Sequence, residues 1–556
     1  MAELPERDPI DDGFGGAVAR RLEQLGLLPS LLIAASSGFV IALGAPPDGL
    51  RFANWVGFVP LILMATRDAV STKEAAAMGL AGGLGIGLGG FPWIGEMLVK
   101  FAGVPVVVGC LGVLLFSVWM AIPYGIWAAG LRLGPRRGLP GWLWPAALFA
   151  AVQYSWPVLF PYSPILGFAE TPPMMQLAEV LGVHGIEAVV VAASVFLARG
   201  IMARSWRSRI GNLVLWSIAP LLLYVGGDLR MQAIDREAEN APKLRVGIIQ
   251  PNLGIHSVSR RQKMQRLTET SLRAEEQGAE LIVWPEAGTY PYLISRPFTG
   301  DSNQARSRVL ARHKTPTVFG ARSRDPGARF NYNSAYFIDG AGRALGAYDK
   351  VNLVPLGESI PIIDPAWVTE RIPEIGHRLA GDTPARFVLP RRARGPAGLA
   401  NVDPKEISFA PLICFEDIIP GYVRLAAAQT GGVDLFVNLT IDSWYGDTAE
   451  PWEHLALAQF RAVEHRVPIV RSVSTGVSAV IDANGRVVSF VPLRPVTPEN
   501  LEEFPPELLV ETLSLARNTA RNPTVYARFG WMFPHLCQLV AILGFVNWLW
   551  RSRLET

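Results

Sequence analysis

Three short stretches each end an apolar, strand-like run in a residue able to take part in acyl chemistry. The first is Leu281-Ile-Val-Trp284-Pro-Glu286. The second is Tyr348-Asp-Lys350-Val-Asn-Leu-Val-Pro-Leu-Gly-Glu358, and the third is Ile407-Ser-Phe-Ala-Pro-Leu-Ile-Cys414-Phe415-Glu416-Asp417. Nucleophilic acyl transfer needs a nucleophile, a base to take its proton, and a cation or donor to hold the developing oxyanion. Cys414, Glu286 and Lys350 supply one of each. Singly, they have ordinary explanations: free cysteine is among the most buried residue types, a glutamate after a strand can cap a helix, and a lone lysine is usually solvated. Three such placements in one region make a shared site the stronger reading.

The rest of the chain must position these residues, and its composition says in what setting. Of 556 residues, 50% are apolar and only 18% are charged, and the mean hydropathy is positive. A soluble protein of this size is not so apolar, so part of the chain belongs in lipid. The formal net charge of +3 is too small to suggest a nucleic-acid partner. Of the three cysteines, Cys110 and Cys537 fall in apolar runs, which leaves Cys414 alone outside them. No disulfide is possible there, and a lone thiol facing an oxidising compartment needs a chemical reason to persist.

Apolar stretches long enough to approach a crossing recur near 28–46, 52–66, 76–96, 104–130, 141–160, 178–198 and 210–226, with an eighth at 531–550. Residues 1–27 read as a polar cytoplasmic segment and not as a cleaved signal peptide. Gly79, Gly83 and Gly87 recur every four residues in the third stretch and predict a close helix contact on one face. Alternate loops differ sharply in basic residues: one side carries Arg20, Arg21, Arg67, Lys73, Arg132, Arg136, Arg137, Arg199, Arg204, Arg207, Arg209, Arg551 and Arg553, the other only Arg51 and Lys100. By the positive-inside bias, both termini are cytoplasmic. With seven spans at 28–227 and one in 529–556, the segment 228–528 is expected on the opposite, extracytoplasmic face.

That segment alternates strand-like runs (244–250, 281–284, 315–320, 334–339, 407–413, 433–438, 469–473 and 478–482) with helical patterns at 260–277 and 451–465. The alternation predicts one α/β domain whose sheets are covered by helices. The Pro/Arg/Gly stretch at 390–400 reads as a surface loop.

At the three acyl-chemistry stretches the sequence resembles the nitrilase superfamily, which has a Glu-Lys-Cys set on an αββα sandwich. Together with the spans, and with Asp442-Ser-Trp-Tyr445, His454, Arg461-Ala-Val-Glu464, Arg471 and Tyr526-Ala-Arg-Phe-Gly530, it resembles the membrane-anchored apolipoprotein N-acyltransferase family across essentially the whole chain. The resemblance implies Glu286 as general base, Lys350 as oxyanion stabiliser and Cys414 as thioester carrier. It marks Glu358, Glu416, Phe415, Trp444 and His454 as supporting or substrate-binding positions. His454 reads more readily as a structural residue near a helix start. The implied substrates are a phospholipid acyl donor and a diacylated apolipoprotein acceptor, handled by a monomer in the bacterial inner membrane with its catalytic domain in the periplasm. No cofactor is implied, and no Cys/His cluster of metal-ligand spacing occurs. Phe415 stands where the family has Tyr, Ser257-Val-Ser-Arg-Arg261 where it has a Lys-Trp pair, and Ser474-Thr475-Gly476 where it has Asn-Thr-Gly. A membrane-bound nitrilase-like amidase, or an acyltransferase for a different amine, is the first alternative. A scaffold or transporter with a degenerate soluble domain is the second, although intramembrane charges are scarce, with Glu96 and Glu187 the main exceptions.

Overall fold

The computed structural model describes residues 14–47, 49–101, 103–135, 140–253, 258–298, 307–355, 357–359, 377–389, 406–496 and 500–554. The expected loop at 390–400 lies outside them. The chain forms two compact units, Met1–Leu229 with Phe529–Thr556, and Arg230–Arg528.

The first unit is helical. Each apolar stretch read from the sequence is a helix or pair of helices: Leu27–Ala42, Ala53–Val56 with Phe58–Ala65, Thr72–Gly90 with Pro92–Phe101, Val106–Leu131, Pro140–Ser155, Ala178–Met202, Trp206–Glu239 and Phe533–Leu554. The N-terminal segment also holds a helix, Phe14–Glu23. Among the described residues, four helices are long and apolar enough to cross a membrane alone. Two pairs bent by 117° and 49° bring the number to six if each pair is one span. The eight crossings expected from sequence exceed this number because Ala53–Ala65 and the 16-residue Pro140–Ser155 helix fall short of the roughly 20 residues a crossing needs.

The glycine stripe does what its spacing predicts. A β-carbon on Gly79 would lie 2.2 Å from the Tyr124 carbonyl oxygen, one on Gly83 2.4 Å from Ala121 Cα, and one on Gly87 2.5 Å from Ser117 Cβ. Helices Thr72–Gly90 and Val106–Leu131 therefore touch backbone to backbone, where dispersion between closely packed atoms replaces the hydrophobic effect.

Among the described residues, the second unit has fourteen strands. These are β1 (Lys243–Gln250), β2 (Leu281–Val283), β3 (Ile294–Ser295), β4 (Thr317–Arg324), β5 (Asn331–Ile338), β6 (Ala344–Asp349), β7 (Arg378–Leu379), β8 (Phe387–Leu389), β9 (Ile407–Ile413), β10 (Leu435–Thr440), β11 (Ile469–Val473), β12 (Ala479–Ile481), β13 (Val487–Phe490) and β14 (Glu507–Ser514). One sheet has the order β14-β1-β2-β4-β5-β6 with β3 and β7 at its margins; the other runs β13-β12-β11-β10-β9-β8.

Period-two burial turns the sheets into a sandwich. Leu244, Val246 and Ile248 of β1 pack in one core with Phe409 and Leu412 of β9 and Val437 and Leu439 of β10. Ile249, on the other face of β1, packs with Leu267 and Ala274 of the Arg260–Glu276 helix. Leu455, Ala458 and Ala462 bring the Glu450–His465 helix onto the second sheet. The result is the nitrilase-like αββα layering, and burying each Phe or Leu of the central layer contributes about 1.5–3 kcal/mol. β2 is parallel to β1 and β4, and β10 is parallel to β9 and β11. Parallel neighbours bring the C-terminal ends of β2, β9 and β10 to the edges of the sandwich, where the residues that follow them can converge.

Candidate active site

Glu286 follows β2 through a tightly held turn. The Trp284 indole donates to Ser271 Oγ at 2.8 Å, and the Gly320 N–H donates to the Pro285 carbonyl at 3.1 Å. A β-carbon at Gly320 would lie 2.5 Å from the backbone of Glu286 and Ala287, so only glycine lets the turn cross β4 here. Lys350 follows β6, its N–H donating to the Asn333 carbonyl of β5 at 2.8 Å. Cys414 follows β9 and has φ 51°, a left-handed backbone that a residue with a β-carbon rarely adopts and that marks a functional turn when its surroundings enforce it. The enforcement is visible: the Asn438 amide donates to the Cys414 carbonyl at 3.1 Å, and the Glu416 carboxylate accepts from the Ile413 N–H at 2.8 Å.

The side chains meet in a buried space. Lys350, with none of its surface exposed, places Nζ 2.6 Å from Glu358 Oε2 and 3.7 Å from Glu286 Oε1. The Asn333 amide nitrogen donates to both carboxylates, at 2.7 Å to Glu286 Oε1 and 2.8 Å to Glu358 Oε1.

Burial raises the Glu286 pKa to about 7, with Lys350 opposing and the Glu358 charge adding to the rise. Burial works against the Lys350 ammonium, but Glu358 and Glu286 outweigh it and keep the cation charged. Burial and then the charge of Glu286 push the Cys414 thiol well above its ordinary range, while Lys350 and a hydrogen bond from Thr440 pull the other way. A neutral thiol, a carboxyl poised near neutrality and a permanent cation thus share one site. That combination suits proton transfer from sulfur to carboxylate at the moment of attack.

Glu416 does not face this cluster as a free acid. Its Oε1 accepts from the Tyr348 hydroxyl at 2.6 Å and from the N–H groups of Val351 and Asn352 at 2.8 and 3.0 Å. Asp417 belongs to a second buried network. Arg471 bonds Asp417 at 3.0 Å and Asp442 through both oxygens at 3.1 and 3.0 Å, and His454 Nε2 lies 2.8 Å from Asp417 Oδ1. Burial and Arg471 depress the His454 pKa, but Asp417 and Asp442 outweigh them and raise it to about 9. Ligand atoms of Asp442, Glu450 and His454 come within 4.8 Å of one another. The cation this cluster already holds is the guanidinium of Arg471.

The structure therefore brings Glu286, Lys350, Glu358 and Cys414 together and sets Glu416 and His454 in the networks behind them. Phe415 packs half-buried against the central core. Trp444 is 46% exposed. Asn333, Thr440 and the Tyr348 hydroxyl are parts of the site that the sequence reading did not single out. The polar Asn331-Tyr-Asn333 just ahead of the apolar run at 334–339 was the available signal for Asn333, since β5 begins three residues earlier than its apolar run.

Residues 37–196 match the apolipoprotein N-acyltransferase N-terminal domain, and residues 245–497 match the carbon-nitrogen hydrolase family. An apolipoprotein N-acyltransferase from Brucella melitensis biotype 1 is 31% identical over 489 residues, covering 83% of this chain and 87% of its own length. One from Allorhizobium ampelinum is 30% identical over 510 residues, covering 87% and 91%. The chain belongs to the apolipoprotein N-acyltransferases. Among solved structures, an amidase of the nitrilase superfamily from Nesterenkonia AN1 is 20% identical, with a TM-score of 0.35 over 52% of this chain and 95% of its own. As an apolipoprotein N-acyltransferase with several apolar helices long enough to cross a bilayer, the protein is a membrane protein. The nitrilase-like site is the part of it equipped for acyl chemistry.

Proposed function

We propose that this apolipoprotein N-acyltransferase moves a fatty acyl chain from a phospholipid, through a thioester on Cys414, to the α-amino group of the diacylglyceryl-cysteine of an apolipoprotein. Glu286 takes the Cys414 proton as sulfur attacks the ester carbonyl, and Lys350 stabilises the oxyanion. The carbonyl–oxygen bond to glycerol breaks, Glu286 returns the proton to the leaving alkoxide, and a lysophospholipid departs. The acceptor amine then attacks the thioester carbonyl, the carbon–sulfur bond breaks and the amide forms. Glu286 relays the amine proton to the departing thiolate. Glu358 and Asn333 hold Lys350 and Glu286 in register throughout.

What supports the reading above all is the buried meeting of Glu286, Lys350 and Cys414, with the thiol on a left-handed turn. In the same proposal the chain crosses the bacterial inner membrane eight times, with the short Ala53–Ala65 and Pro140–Ser155 helices as two of the crossings. Residues 228–528 form the catalytic domain on the periplasmic side, and the enzyme works as a monomer. Tethering at both ends keeps such a domain beside the acyl chains it uses, and exclusion of water from the site lets a thioester wait for an amine.

The test is the intact mass of wild type and Cys414→Ala after incubation with phospholipid vesicles and no acceptor. The expected result is a hydroxylamine-labile gain of one acyl mass on wild type alone, discharged by a diacylated lipopeptide. An acyl-enzyme that discharges only to water would make the chain an amidase-like hydrolase instead.

A further inference from the structure

Three cations ring the mouth of the Glu286–Glu358 site, and acyl transfer as described above uses none of them. Arg322 on β4 stands opposite Asn333 on β5 in the antiparallel register, so the two side chains share a face of the sheet. Arg378 on β7 stands beside Asn331, two residues along the same strand and on that same face, and its backbone N–H donates to the Glu358 carbonyl at 2.8 Å. Lys263 reaches over from the Arg260–Glu276 helix to donate from Nζ to the Gly288 carbonyl at 2.9 Å, two residues beyond Glu286. All three positions therefore border the segments that carry Glu286, Asn333 and Glu358.

Arg322 and Arg378 carry no ion pair among the described residues. Arg322 is exposed, whereas Lys263 and Arg378 are half-buried. The crowding has an electrostatic consequence. Burial and then the charge of Arg322 lower the pKa of Lys263, and the same two causes lower that of Arg378, against the pull of Glu358 and Glu286. Three like charges gathered at the border of a site, none of them ion-paired among the described residues, favour an anion there. Paired arginine forks fit the oxygens of a phosphate better than they fit most other anions.

We propose that Arg322 and Arg378, with Lys263 behind them, form a subsite for the phosphate of the acyl donor, a glycerophosphodiester whose ester carbonyl is then presented to Cys414. The proposal rests on the donor reading in the preceding section. Glycerol puts only a few bonds between a phospholipid's phosphate and its acyl esters. Holding the phosphate at the rim of the site thus fixes how far the ester can enter. The subsite also accounts for the cations standing on the Glu286 and Glu358 side of the site: the leaving glyceryl oxygen, which Glu286 protonates, is the part of the donor joined to the phosphate.

The experiment titrates phospholipid against the full chain in detergent and follows the mass of acylated Cys414, using Arg322→Ala, Arg378→Ala and Arg322→Lys. A hydrogen bond between charged groups contributes about 1.5–3 kcal/mol, which is roughly 10- to 100-fold in binding. Each alanine variant should therefore raise the half-saturating phospholipid concentration about 10-fold or more, with a smaller change in the plateau rate. Preference for phospholipid over a p-nitrophenyl fatty ester, which has no phosphate, should fall by the same factor. Arg322→Lys should recover part of the loss. Inorganic phosphate should compete with the lipid only in large excess. Unchanged half-saturation in both alanine variants overturns the subsite while leaving the donor reading intact. If inorganic phosphate competes as well as the lipid, and the variants change only that competition, the subsite takes free phosphate and the donor assignment is wrong. If wild-type Cys414 is acylated by the p-nitrophenyl ester but never by phospholipid, the donor reading fails and the subsite fails with it.

Discussion

Glu358 holds the Lys350 ammonium at 2.6 Å, and although burial works the other way, that charge keeps the Glu358 pKa below its ordinary value. Glu286 stands back at 3.7 Å and is left with a pKa of about 7, raised first by burial. In the proposed mechanism, acylation of Cys414 needs Glu286 ionised, so its rate should climb with pH through about 7 and level off above it. Replacing Glu358 by Gln removes a neighbouring negative charge from Glu286. The midpoint of the rate profile should then move to lower pH while the plateau falls, because Lys350 loses its closest partner. Acyl-enzyme formation measured across pH in both proteins checks both effects.

The raised pKa of Glu286 has the opposite consequence for folding. A carboxyl whose folded pKa exceeds its unfolded value of about 4.5 favours the folded state fully only below the unfolded value, and that contribution is lost as pH rises to about 7 and beyond. Glu286→Gln cannot ionise, so its denaturant midpoint should decline less than that of wild type between pH 4.5 and 7. Parallel midpoints over that range would mean that Glu286 is not strained by burial.

Asn333 joins Glu286 to Glu358 through one amide nitrogen, at 2.7 and 2.8 Å. Asn333→Ala removes two bonds to carboxylates that stay buried, each worth about 1–3 kcal/mol when left unmade. The acylation rate should drop by roughly 10- to 100-fold, and a carboxylate in Asn333→Asp should be worse, because it adds a negative charge where a donor stood. Single-turnover acylation of Cys414 with phospholipid distinguishes this from weaker donor binding, since the loss should appear in the plateau rate.

Arg471 bonds both Asp417 and Asp442, and none of the three side chains is exposed. Breaking a buried pair by removing one partner costs about 3–5 kcal/mol, so Arg471→Met should unfold at a much lower denaturant concentration than wild type. His454 adds a pH dependence of its own. Its folded pKa of about 9 lies above the unfolded 6.5, so its contribution is fully present below pH 6.5 and is lost as pH rises through 9. His454→Asn should flatten the fall in stability over that window, as read from denaturation midpoints.

The sequence showed the candidate-site residues more clearly than it showed the scaffold's edges. Glu286 and Cys414 were legible because each ends an apolar strand, and a strand's end is a local property of the chain; Lys350 was legible from the Tyr348-Asp-Lys350 run that leads on to Glu358. The helices at 260–276 and 450–465 were legible as local patterns too; the first buries Leu267 and Ala274 beside small polar residues, whereas the second is buried almost throughout, charged positions included. β14 was not. Its burial is mostly intermediate, because it is an edge strand beside β1, and a half-solvated strand carries little apolar signal. β6 was missed for a similar reason, with Gly346 and two alanines in place of branched residues. The polar residues ahead of the run at 334–339 marked Asn333 but not its role, and nothing local marked the Tyr348 hydroxyl: which acids an amide bridges depends on strand register across long separations. At 52–66 and 141–160 apolar composition suggested crossings, and the helices found there, Ala53–Ala65 and the 16-residue Pro140–Ser155, are shorter than a straight full span.

Glu416 offers the sharpest separation of geometry from chemistry, because it touches the reacting groups only through the backbone. Its two oxygens collect the Tyr348 hydroxyl, the N–H groups of Val351 and Asn352 just after Lys350, and the Ile413 N–H just before Cys414. One carboxylate thus ties the turn that carries the cation to the turn that carries the thiol. Glu416→Ala takes this acceptor from four donors, of which the Val351 and Asn352 N–H groups are part-buried and the Tyr348 hydroxyl also bonds Tyr422, at about 1–3 kcal/mol for each left buried with no substitute. It should lower the thermal midpoint and slow acylation at least 100-fold, by the rule that small misplacements of reacting groups cost about that much. Glu416→Gln retains one acceptor oxygen, enough for the cluster at Oε1 or the bond to Ile413 but not both, so it should fall between wild type and alanine on both measurements. A variant that melts early yet acylates at the wild-type rate would show that the two turns are aligned by something other than this carboxylate.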